Sequence, residues 1–207
     1  MKTLFLSLFF CITAFFSSLC AKEEKCKDSR IPAPYIVAKA GYFFFADAEM
    51  RKVYSNGGID LQLSGAYPVY PYLSVYGSVE FLQKSGRSLQ GNQRTSIWEV
   101  PLSAGLQTSF LMYSPVPIYY YITLGPRYVF AQVHNHSPYV PHHMNQNGFG
   151  GFANTGFLFN LWHGLTLDLF GEYSYCRLHF HSSKTATHGH SVQVGGFAFG
   201  GGLGYSF

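Results

Sequence analysis

Apolar and polar residues alternate with period two along most of this chain, in segments of about ten residues, the length that a tilted membrane-crossing strand needs. The second segment shows it most clearly: Ile59, Leu61, Leu63, Gly65 and Tyr67 alternate with Asp60, Gln62, Ser64 and Ala66. The third returns with Leu73, Val75, Gly77, Val79 and Phe81 on one face and Ser74, Tyr76, Ser78 and Glu80 on the other. The same rhythm predicts strands near 94–110, 118–132, 149–160, 165–175 and 191–207. A first strand near 34–45 has Ala38, Ala40, Tyr42 and Phe44 on one face and Lys39 and Gly41 on the other, with Phe43 and Phe45 blurring the alternation. Pro126 interrupts the fifth strand, and because proline removes a ladder donor a bulge is expected there. No segment carries a helical period.

The connections alternate in length. Residues 68–72, 111–117 and 161–164 are short, whereas 46–56, 83–93, 134–148 and 178–190 are long and polar. Leu, Phe, Tyr and Gly dominate one face of the strands, while charges and small polar groups occupy the other. A soluble sandwich would carry more charge on its outward face. The pattern therefore predicts an inside-out protein, apolar toward lipid and polar toward a lumen. Backbone groups in hydrocarbon must all be paired, so the sheet must close on itself. The expected fold is all-β: a closed eight-stranded antiparallel transmembrane barrel, an up-and-down meander in which the first and last strands meet.

Composition sharpens this. Of the 207 residues only 12% are charged, against about 25% in an ordinary soluble domain, while 18% are aromatic. Mean hydropathy is only +0.05, which two opposed populations of positions explain. The formal net charge of +4 is too small to argue for a nucleic-acid partner. Met1 and Lys2, the apolar run Leu4 to Leu19, and Cys20-Ala21 before Lys22 form a secretory signal peptide, with cleavage expected after Ala21. The domain plan is then a signal peptide over 1–21, a short polar leader over 22–33 and a barrel over 34–207. Removing Lys2 lowers the formal charge from +4 to about +3. Cys26 and Cys176 remain; Cys26 is available for intermolecular disulfide formation or as a free thiol.

The phasing turns Lys39, Asp60, Glu80, Glu99, Arg127, Asp168 and Glu172 inward. In a narrow lumen these groups must be paired, hydrogen-bonded or hydrated. They form either a structural polar plug, the favoured reading, or a narrow polar channel. All nine histidines follow residue 133. His134, His136, His179 and His181 could form a metal site near the rim, although simple polar loop composition explains them as well. No cofactor motif is present: the glycines near the C-terminus lack the strand–helix context of a nucleotide loop. Trp98, Tyr128, Tyr173 and Tyr175 at one end, with Tyr67, Tyr120, Trp162 and Tyr205 at the other, suit two interfacial girdles.

The chain ends on Phe207, preceded at alternate positions by Tyr205 and Leu203. This resembles the terminal strand of bacterial outer-membrane proteins, and the resemblance implies that Leu203, Tyr205 and Phe207 are the signal read by the barrel-assembly machinery. From Pro34 onward the chain resembles the small eight-stranded OmpW-like, OmpX-like and opacity-protein-like barrels, including the segment Trp98-Glu99-Val100-Pro101-Leu102. The resemblance implies an outer-membrane location in a Gram-negative bacterium, with both termini periplasmic, lipid around the wall, and outer loops that could meet a surface or host ligand. It implies a non-enzymatic structural or surface-interaction role, with a narrow channel as the alternative. A lipid A-modifying enzyme is the remote alternative. His181 and Ser183 have the deacylase spacing, but no acid follows them, so Glu172 or another strand would have to supply the carboxylate.

Overall fold

The computed structural model describes residues 32–54, 57–87, 94–113, 116–135, 143–180 and 190–207. The expected signal peptide, Cys26, His136, His181 and Ser183 lie outside the described residues. Among the described residues nine strands form: β1 (Tyr35–Phe45), β2 (Gly58–Tyr70), β3 (Leu73–Arg87), β4 (Arg94–Tyr113), β5 (Ile118–Asn135), β6 (His143–Asn160), β7 (Leu165–Phe180), β8 (His190–Gln193) and β9 (Gly196–Ser206). Each of β1 to β7 pairs antiparallel with the next, β7 pairs with β9, and β9 pairs with β1, which closes the ring. Eight strands make the barrel. The ninth, β8, pairs with β7 from Arg177↔Gln193 to Phe180↔His190, above the wall. The single closing strand expected over 191–207 is thus divided at Val194 and Gly195.

Each strand buries alternate residues, as in the pattern of β1. Ile59, Leu61, Leu63, Leu106, Leu124, Phe149, Phe199 and Leu203 are exposed on the outside, while Asp60, Gln62, Ser64, Gln107, Thr123 and Asn154 are buried within. An apolar exterior around a polar interior is the arrangement that lipid stabilises.

One end of the barrel carries the short turns and both described termini; it is called the turn end below. Phe207 donates its backbone N–H to Pro34 O at 2.9 Å there. Tyr72, in the β2–β3 turn, and His163, in the 3-10 turn Trp162–Gly164, adopt positive φ. The other end, the loop end, is longer than the sequence pattern predicts. β6 begins at His143, inside the expected loop 134–148, and β3 continues to Arg87, inside 83–93. The 46–56 connection contains a short helix, α1 (Ala48–Val53), where no helical period was detectable. Its N-terminus is capped by Asp47, whose Oδ1 accepts from the Met50 N–H at 3.1 Å.

The bulge expected at Pro126 is absent. Ser103↔Arg127 and Leu106↔Leu124 share one register across β4 and β5, and β5–β6 pairing runs unbroken through Pro126↔Gly151. The ladder simply lacks partners at Gly125 and Pro126 on the β4 side. Two glycines let the backbones close up instead: a Cβ on Gly125 would stand 2.0 Å from Ala104 O, and one on Gly105 would stand 2.5 Å from Leu124 O.

Candidate functional site

The lumen is where the chain concentrates its chemistry. Eight strands enclose a space that side chains can fill, and here they fill it in tiers. Nearest the turn end, the Tyr35 hydroxyl donates to Gln107 Oε1 at 2.8 Å, Thr123 donates to the same oxygen at 3.3 Å, and Gln107 Nε2 donates to Ser109 at 3.2 Å.

The next tier is an ion pair. Lys39 Nζ sits 2.6 Å from Asp168 Oδ2, with both side chains fully buried. Tyr121 donates to the other Asp168 oxygen at 2.9 Å. The ammonium lies 4.9 Å from the centre of the Phe170 ring and 5.6 Å from that of Tyr121, a favourable placement for a desolvated cation. Glycine makes the space for this tier. A Cβ on Gly202 would approach Lys39 Cγ to 2.8 Å, and one on Gly156 would meet the Tyr121 hydroxyl at 2.7 Å.

Arg127 occupies the middle of the barrel. Its guanidinium bridges Glu80 and Glu172, contacting Glu172 at 2.5 Å, and its Nε donates to Ser103 at 2.8 Å. Gln62 Nε2 donates to Glu80 at 2.9 Å, Asn154 Nδ2 donates to Glu172 at 3.4 Å, and the Phe152 ring lies 5.1 Å from the guanidinium carbon. Glu172 is therefore committed to Arg127 deep in the lumen.

Asp60 and Glu99 lie a step further toward the loop end. The register places Asp60, Leu82 and Glu99 side by side on β2, β3 and β4. Among the described residues neither has an ion-pair partner, and Glu99 Oε1 has no hydrogen bond. They face a cavity of about 10 Å³ that Arg127, Cys176 and Val194 also line, room for about one water.

Above this cavity the lumen becomes apolar. Phe43, Phe45, Leu82, Ile97, Val129, Ala131, Leu178, Val194 and Ala198 pack together and are buried. Met50 and Tyr54 from α1 and its exit insert into this cluster and close it. The Tyr54 ring lies 5.8 Å from that of Phe45, and its hydroxyl is 3.4 Å from Thr95 Oγ1. The helix fits because residue 86 is glycine, where a Cβ would stand 2.2 Å from Val53 O. Sequence reasoning placed the seven ionisable lumen residues on the inward face but missed this apolar tier. Phe43 and Phe45, which blur the β1 alternation, were its signal.

Of the four loop histidines expected near the rim, His134 and His179 lie on described strands, and His136 and His181 do not. His134 on β5 stands opposite His143 on β6 in the backbone register, whereas His179 on β7 stands opposite Ser191 on β8. Among the described residues, no three His, Cys, Asp or Glu side chains gather as metal ligands.

No family model and no curated protein matches the chain. Solved structures do. The outer membrane protein OprG from Pseudomonas aeruginosa aligns over 86% of this chain and 97% of its own, at 15% identity and a TM-score of 0.65. Neisserial surface protein A aligns over 84% of this chain and 97% of its own, at 15% identity and a TM-score of 0.55. The outer membrane protein W of E. coli aligns over 86% of this chain and 99% of its own, at 11% identity and a TM-score of 0.51. At these identities the likeness is one of fold: the chain is an eight-stranded closed antiparallel β-barrel of the kind found in small bacterial outer-membrane proteins.

Proposed function

We propose that the protein is a non-enzymatic outer-membrane barrel that acts through its loop-end surface, with a sealed lumen serving as its internal support. The observation that carries this reading is the continuous filling of the lumen, from the Tyr35–Gln107 tier through Arg127 to the apolar cluster under Met50 and Tyr54. A polar channel needs a connected wet path. Here the middle is occupied by a guanidinium held between Glu80 and Glu172, and the loop end by buried Phe, Ile and Leu side chains.

In this reading the turn end and both termini face the periplasm, and the loop end faces outward. Short periplasmic turns and longer outer loops are the usual asymmetry of such barrels. Leu203, Tyr205 and Phe207, exposed on the outside of β9 and at its end, serve as the segment offered to the barrel-assembly machinery. Lipid covers the apolar belt, and the outer loops meet a surface or host ligand.

Planar-bilayer recording tests the sealed lumen. The purified barrel is expected to give no reproducible single-channel steps while keeping heat-modifiable gel migration. Steps that vanish in Glu99→Ala or Arg127→Ala would establish the narrow channel instead.

A further inference from the structure

Buried charge does not balance inside the barrel. Among the described residues five buried acids face two buried bases, Lys39 and Arg127. Asp168 neutralises Lys39. Arg127 is shared by Glu80 and Glu172, which together exceed its charge. Asp60 and Glu99 add two more carboxyls, and no ion pair among the described residues reaches either of them. An excess of buried negative charge is costly unless something positive joins it.

The excess is local. The register sets Asp60 and Glu99 on either side of Leu82 in one row of β2, β3 and β4. They are 4% and 2% exposed, and both line the cavity of about 10 Å³. Glu99 Oε1 has no hydrogen-bond partner. From the facing wall, β7 brings Ser174 to the same cavity. The Ser174 hydroxyl oxygen accepts from the Gly196 N–H at 3.3 Å and keeps a second lone pair. Arg127 also lines the cavity, but its guanidinium is held between Glu80 and Glu172. Phe43, Leu82, Val129 and Val194 supply an apolar lining, in which attraction between opposite charges is stronger than in water.

Protons alone do not complete this arrangement. A protonated carboxyl gains a donor that needs an acceptor, and its other oxygen still needs a partner. Water satisfies the Glu99 oxygen but brings no charge. A cation supplies both. Size and donor set identify it. The cavity holds about one water-sized body. Calcium takes six to eight oxygens and magnesium keeps several of its waters; two carboxylates, one hydroxyl and a cavity this small provide for neither. Among the described residues no three His, Cys, Asp or Glu side chains gather as ligands, which removes the usual zinc set. A bare monovalent cation with hard oxygen ligands remains, and sodium is the abundant one smaller than a water molecule.

We propose that the barrel holds one sodium ion between Asp60 and Glu99, with the Ser174 hydroxyl as a further ligand, as the counter-charge of its central tier. The site is independent of which end of the barrel faces outward. The lumen is filled on both sides of the cavity, so the ion is captured as the barrel closes.

The test therefore refolds the mature barrel separately in sodium, potassium or choline chloride, in zwitterionic detergent at neutral pH and one ionic strength. The wild type is expected to retain one sodium ion per barrel in equilibrium dialysis. It is also expected to unfold at higher urea in sodium than in potassium or choline. Glu99→Gln and Asp60→Asn are each expected to lose this gain and to weaken sodium binding by about tenfold or more, because each carboxylate is one of two charged ligands. Two separate variants keep the test open if one of them fails to refold. Asp47→Asn removes an acid outside the cavity while keeping a good helix cap, and is expected to show the full sodium response. Equal urea midpoints for the wild type in sodium and choline overturn the site, as does a sodium gain that persists in both cavity variants. An equal gain in potassium overturns the identity of the ion. Stabilisation by mild acid that is the same in sodium and choline assigns the charge balance to protons and also overturns the site.

Discussion

Near the turn end, Lys39, Asp168 and Tyr121 fill the barrel with a buried ion pair and its hydrogen bonds. Near the loop end, Phe45, Ile97 and Leu178 fill the same space with hydrocarbon under Met50 and Tyr54. The eight strands around both are alike, so the difference lies in what each filling demands. Hydrocarbon tolerates small shifts, because its contacts are many and undirected. The ionic tiers are all-or-none: removal of one member leaves a buried charge without compensation. The polar half therefore fixes which residues face each other, while the apolar half keeps water from reaching them.

The sharpest way to break this comparison is at Arg127. Arg127→Met strands Glu80 and Glu172 together and is expected to cost about 3–5 kcal/mol, read from urea unfolding in detergent micelles. A loss below 1 kcal/mol would mean that these carboxyls are not held as charged partners. Next comes Lys39→Met, at about 3 kcal/mol. Its companion Lys39→Met/Asp168→Leu should recover most of that loss, since a hydrophobic replacement of a whole buried pair is often neutral or better. No recovery in the double variant would argue against the ion pair as the source of the cost.

In the apolar tier, Ile97→Ala is expected to cost about 2–3 kcal/mol through the cavity it opens, yet to leave the barrel non-conducting because the Arg127 tier still seals it. Conductance in Ile97→Ala would show that the apolar half alone forms the barrier. The smallest effect is at the lid. Tyr54→Phe loses one long hydrogen bond to Thr95, about 1 kcal/mol or less. Hydrogen exchange should quicken in α1 and leave β1 and β9 unchanged. Faster exchange spreading into β1 would mean that the helix is a structural part of the wall.

Strand parity was legible in the sequence because lipid outside and polar groups inside give alternate positions opposite character. Lys39, Asp60, Glu80, Glu99, Arg127, Asp168 and Glu172 could be assigned inward for that reason. Phe43 and Phe45 could not, because an apolar residue on the inner face reads the same as one facing lipid until the phase of the whole strand is known. α1 was missed because six residues are too few to show a 3.6-residue period, and its stabilisation comes from Met50 and Tyr54 reaching the barrel interior. The backbone pairing of His134 with His143 depends on where hairpin pairing ends, which loop composition does not reveal. Pro126 misled because its missing donor falls beside Gly105 and Gly125, where the backbones approach without needing an extra residue.

The hydrogen bond from Phe207 to Pro34 makes the barrel nearly continuous across its own ends, and neighbouring termini are the geometry that circular permutation exploits. A permuted mature chain, with Phe207 joined to Pro34 and opened within Trp162–Gly164, would keep every strand neighbour. It would also move Leu203, Tyr205 and Phe207 from the last described strand to an interior position in the chain. Such a chain would separate two properties that the natural order confounds: a barrel that refolds in detergent as before but no longer inserts in cells would show that the position of the last strand serves assembly, while its contacts serve the folded state.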